Sequence, residues 1–104
     1  MDKAVKRRWL EALQSGEYRK TTQGLRVKGR YCCLGVLCDI QVRAGVEWLP
    51  NGIASFAGSI SSAVLPEPLM DAVGITGNEE AELIDLNDSE RGWSHVIQYI
   101  RKNL

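Results

Sequence analysis

Several patterns that announce a chemistry are missing from this chain. There is no GxGxxG, no P-loop, no HExxH and no GxSxG, so none of the common local signatures of nucleotide folds, zinc peptidases or hydrolases is encoded. The single histidine, His95, and the absence of any CxxC argue against a zinc site, because structural zinc usually draws two ligand pairs from separate turns. Cys32, Cys33 and Cys38 form one cluster instead, and small buried hydrophobic groups are the expected role. The acidic stretch Asp85–Glu90 has a calcium-loop flavour that fails on spacing. Glu90 stands where glycine is needed and Val96 where a bidentate glutamate belongs. No metal and no cofactor are expected. Long apolar runs are missing too: the longest apolar-rich stretch, Tyr31 to Leu37, stops at Cys38-Asp39, far short of a membrane span. The charges of Met1–Arg8 are followed by no apolar export core, so a reducing cytosol and free thiols are expected, with no membrane partner.

What is present is an ordinary globular composition, with 44% hydrophobic and 25% charged residues in 104. That length suits one domain, 1–104. The net charge of zero conceals a strong asymmetry. Residues 1–30 carry nine basic side chains against three acidic ones, a balance of +6, and the remainder carries four against ten, a balance of −6. Eight of those acids lie between Glu67 and Glu90. Such polarity either pairs internally or in a homo-oligomer, or offers a positive surface to an anion.

The hydrophobic pattern predicts an α+β fold: a small antiparallel sheet packed with about four helices, one of them central and buried. Val5, Trp9, Ala12 and Leu13 give a helix over 3–15, capped by Asp2 and ended near Gly16. Leu25 and Val27 alternate with Arg26 and Lys28 as a half-buried strand, and Lys28-Gly29 reads as a turn returning through Arg30-Tyr31. Cys33 to Ala44 reads as the central helix, with Cys38, Leu34, Leu37 and Ile40 buried and Trp9 and Trp93 packed nearby. Gly35 within it suggests a close approach by another backbone or a ring. Val46–Leu49 and Ile53–Phe56 form a hairpin across Pro50-Asn51-Gly52, and Gly58 with the serines at 59, 61 and 62 gives an edge or loop. Pro66 and Pro68 open a helix that ends at Gly74. Residues 81–86 fit helix and strand equally, and Trp93, Val96, Ile97, Ile100 and Leu104 mark a final helix.

The positive signal for function is the basic strand. Arg26 and Lys28 share one face by alternation, Arg30 follows the turn, and Thr22 lies just upstream. With Tyr31 or Trp48 as a stacking ring, these residues suit a phosphate-bearing nucleotide. A charged edge strand guarded against aggregation accounts for the same residues. The acidic segment 67–90 reads as a solvated face. A Cys32 or Cys33 nucleophile with His95 as base is the enzymatic alternative. Nucleic acid is disfavoured, because the chain is neutral and has no long basic helix.

Tyr31-Cys32-Cys33-Leu34-Gly35-Val36-Leu37-Cys38-Asp39-Ile40 resembles a motif of a family of small proteins of tailed bacteriophages and prophages. Trp9–Tyr18, Leu65-Pro66 with Val73-Gly74-Ile75, and Leu86–Ser89 match in order over nearly the whole chain. Gly92-Trp93 departs from the serine-phenylalanine expected there. The family has no settled common activity, so the resemblance assigns no site residue. It implies a phage accessory protein acting in the host bacterial cytoplasm. In that setting the expected function is a non-enzymatic sponge for a nucleotide-derived immune signal. An inhibitor that docks on a host defence protein through its acidic face is the second expectation, and a small cysteine-dependent enzyme the third.

Overall fold

A computed structural model describes all residues, 1–104. Helix α1 (Lys3–Gln14) starts where Asp2 accepts the backbone N–H of Val5, and it turns Val5, Trp9 and Leu13 inward. Three two-residue strands follow: β1 (Arg19–Lys20), β2 (Arg26–Val27) and β3 (Arg30–Tyr31). They form one sheet in the order β1-β3-β2, with β2 antiparallel and β1 parallel to β3. The β2–β3 connection is Lys28-Gly29, with φ of 51° and 76°. Both values are positive, as a two-residue hairpin turn matched to strand twist requires.

Helix α2 (Cys33–Ile40) is the centre of the molecule, with Cys33 through Cys38 all buried. It is shorter than its hydrophobic pattern predicts. The helix closes at Ile40, and Val42–Ala44 tighten into a 3₁₀ turn that Gly45 ends. Ala44 is exposed and Ile40 half-buried, so neither completes the inner stripe. Gly35 is where β2's approach meets α2: a Cβ there would stand 1.8 Å from the Leu25 carbonyl oxygen. Only a missing side chain lets the two backbones lie so close.

The second sheet is antiparallel, β4 (Glu47–Leu49), β5 (Ile53–Phe56) and β6 (Ser59–Ser61), in that order. The serine-rich stretch is thus an edge strand, joined to β5 by the tight turn Ala57-Gly58, where φ is again positive at both residues. Helix α3 (Glu67–Val73) ends on Gly74. Helix α4 (Gly77–Asp88) resolves the ambiguity at 81–86. Thr76 accepts the Glu79 N–H while Glu79 accepts the Thr76 N–H, a reciprocal cap that starts the helix. Helix α5 (Ser94–Asn103) closes the chain.

The architecture is therefore α+β, with five helices and two small sheets around one core. Trp9 is fully buried and donates its indole N–H to the Cys33 carbonyl at 2.9 Å. The acidic segment is not solvated throughout: Glu80 is buried and accepts the Leu65 N–H at 2.9 Å.

Candidate ligand-binding site

The β2–β3 hairpin separates two open clefts of similar size. Pairing places Arg26 opposite Tyr31 and Val27 opposite Arg30. Side chains alternate across a sheet, so Arg26 and Arg30 belong to opposite faces. Lys28 sits in the turn with a left-handed backbone, which corrects the expectation that it shares a strand face with Arg26. It lies at the tip and lines both clefts.

The first cleft, about 670 Å³, is walled by Lys20, Thr22, Lys28 and Arg30 on one side and by the α4–α5 turn, Asp88 to Arg91, on the other. Lys20, Arg91 and the turn residues are members that pattern reading misses. They come from chain segments some seventy residues apart, and only the fold joins them. Lys20 provides the joint, donating its ammonium to the carbonyls of Glu90 and of Gly92, the latter at 2.8 Å. Asn87 makes a second joint. Its amide donates to the Thr21 carbonyl at 3.2 Å, while its oxygen accepts the Cys33 N–H at 3.0 Å and the Trp93 indole at 3.2 Å. Both anchors hold the loop at 20–23 against α4.

The second cleft, about 700 Å³, is lined by Arg26, Lys28, Trp48 and the loop Pro50–Gly52. Gly52 lets that loop close in, since a Cβ there would meet the Arg26 carbonyl oxygen at 1.9 Å. Trp48 is fixed by its indole N–H donating to Asp39 at 2.9 Å; the other oxygen of Asp39 accepts the Tyr18 hydroxyl at 2.6 Å. Burial, and then Asp39, holds the Tyr18 hydroxyl well above its ordinary pKa, so it remains a donor. Tyr31 is raised by the same causes, packs edge-on to Tyr18 and Trp48, and lines neither cleft. Of the six residues expected to bind ligand, Thr22, Lys28 and Arg30 meet in the first cleft. Arg26, Lys28 and Trp48 meet in the second, and Tyr31 supports them from behind.

The charge asymmetry is not neutralised within the chain. The one close ion pair joins His95 Nδ1 to Glu90 at 3.5 Å, and no lysine or arginine is salt-bridged to a carboxylate. Lys28, Arg30 and Arg91 are exposed and Arg26 is half-buried, and none of the four is salt-bridged to a carboxylate.

The cysteines sit elsewhere. All three are free and buried. Burial pushes every thiol up, Cys38 to about 12 and Cys33 well above its ordinary value. Cys33 points its thiol at the Leu83 carbonyl, 3.7 Å away, and Cys32 caps α2 by accepting the Gly35 N–H. His95 is exposed and engages Glu90 and Ser89. Both contacts fall on Nδ1, so Ser89, His95 and Glu90 do not form a relay, which needs one partner on each ring nitrogen. Glu90 is held below the usual carboxylate range, chiefly by the His95 backbone N–H at 2.7 Å.

A family model described as Domain of unknown function (DUF8296) matches residues 1–70. The chain belongs to this family. The matched region holds α1, both sheets and α2, and with them Lys20, Arg26, Lys28, Arg30 and Trp48. Arg91 and the α4–α5 turn lie beyond it. No curated protein and no solved structure matches the chain.

Proposed function

We propose that this protein is a phage-encoded, non-enzymatic accessory protein that sequesters an anionic, nucleotide-derived signalling molecule in the host cytoplasm. The observation that carries the reading is the set of cations around the hairpin without carboxylate partners, gathered on two clefts large enough for a nucleotide. Arg30, Lys28 and Arg91 supply charge for phosphates, and Thr22 supplies a neutral hydroxyl. The buried, protonated thiols support binding rather than covalent chemistry, because the thiolate is the nucleophile and burial suppresses it. The phage setting rests on the motif resemblance at Tyr31–Ile40.

The test is a titration with labelled cyclic nucleotides and ADP-ribose derivatives, followed by heating to release the ligand. Saturable binding with recovery of the intact ligand is expected. A chemically altered product makes the protein an enzyme, and no binding to any member overturns the reading. A second reading, inhibition of a host defence protein, is favoured by Glu67, Asp71, Glu82 and Asp85. These are exposed on α3 and α4 without a cationic partner. Pull-down of a specific host protein that is lost on reversing those charges supports it.

A further inference from the structure

Arg26 differs from the other cations around the hairpin. Its guanidinium carbon lies 5.3 Å from the centroid of the Trp48 ring and 5.7 Å from that of Tyr31. Two ring faces therefore hold it in place, in the range where the ring quadrupole attracts a cation. No carboxylate pairs with it. Trp48 is itself locked by Asp39, so the support beneath Arg26 does not need to order on binding. A flat, pre-positioned guanidinium with free N–H edges is built to grip a phosphate in two-point fashion. It stands on the face of the hairpin opposite Arg30, with Lys28 between the two clefts at the tip.

Val27 and Lys28 line both clefts, so the two adjoin at the end of the hairpin and one small molecule can bend over it to reach both sides. A mononucleotide carries one phosphate cluster and so engages the cations of one cleft at a time. Two phosphates separated by a nucleoside can occupy both, one at Arg26 and one at Arg30, with Lys28 shared. We infer that the ligand is of the dinucleotide class: two phosphate groups spaced by a nucleoside, straddling the β2–β3 hairpin, with one base beside Trp48. This rests on the nucleotide-binding reading above and narrows it to a ligand chemistry.

Three probes test it: AMP, inorganic pyrophosphate, and the 5′-phosphorylated linear dinucleotide pApA. Trp48 serves as a reporter, because it is half-buried and lines the second cleft, whereas Trp9 and Trp93 are buried and line neither. The expected result is that pApA binds at least tenfold more tightly than AMP or pyrophosphate and changes the tryptophan emission. Arg26→Ala and Arg30→Ala should each weaken pApA about tenfold or more, and Arg26→Lys should weaken it almost as much, because lysine keeps the charge and loses the fork. Circular-dichroism melts confirm folding, and Arg26→Lys serves if Arg26→Ala is unfolded. If AMP binds as tightly as pApA, or if Arg30→Ala weakens binding while both Arg26 variants do not, the ligand occupies one cleft. The dinucleotide inference then falls and nucleotide binding stands. If none of the three probes binds, the inference fails. The broader reading fails with it only if the cyclic and ADP-ribose ligands also do not bind.

Discussion

Leu37 has no solvent exposure on the innermost helix, and its neighbours Leu34, Val36 and Cys38 have none either. Leu37→Ala is therefore expected to cost about 2–5 kcal/mol, from lost burial and the cavity left behind. A denaturant melt reads that cost directly, and a wild-type midpoint would remove Leu37 from the centre of the core. Cys38 supplies a pH signature at the same scale. Its thiol is raised to about 12 from an ordinary value near 9.0, so the fold favours the neutral form. That stability is complete below the unfolded thiol's pKa and is lost as pH climbs through about 9 toward 12, where the unfolded chain has shed protons that the folded chain keeps. Urea melts at pH 8 and pH 10 should show a larger alkaline loss for wild type than for Cys38→Val; equal losses would contradict the assignment. Individual residues were unevenly legible. Gly35 signals a close approach by its place in an apolar helix, but the partner, the Leu25 carbonyl, is a matter of tertiary packing. Lys28 leaves the strand face that alternation assigns to it, because the strand ends at Val27 and Lys28-Gly29 form the turn.

Among the elements, α4 carries the most ambiguous hydrophobic pattern. Leu83, Ile84 and Leu86 alternate well enough for a strand, yet Thr76 and Glu79, three apart, carry the helix-start signal that decides the matter. Thr76→Ala should cost about 0.5–2 kcal/mol and fray the first turn of α4, with faster amide exchange at Glu79 and Glu80. Unchanged exchange there would show that packing alone holds the helix. The early end of α2 had no comparable signal, since Gln41 to Ala44 carry no glycine or proline. The hairpins were legible because Lys28-Gly29 and Asn51-Gly52 are turn chemistry. The second wall of the first cleft was not, because Arg91 and Arg30 come to line one cleft only through the packing of α4 on α2 and of α5 on α1 and α4.

For the molecule as a whole, the consequence of the fold is that an uneven charge distribution stays unpaired. The +6 balance of residues 1–30 is written in the sequence, whereas the gathering of four of its nine cations, Lys20, Arg26, Lys28 and Arg30, on the two clefts depends on how β1, β2 and β3 pair. Unpaired cations on open clefts should bind an anion with marked salt dependence, because screening acts over about 10 Å at 0.1 M salt. The measurement that tests this most directly compares wild type, Lys28→Ala and Arg30→Ala, each confirmed folded, for affinity toward the labelled nucleotide that wild type binds best. A charge-assisted hydrogen bond is worth roughly 1.5–3 kcal/mol, so each variant should lose about tenfold or more in affinity. If both bind as wild type does, the hairpin is a charged edge and the cleft is not the site.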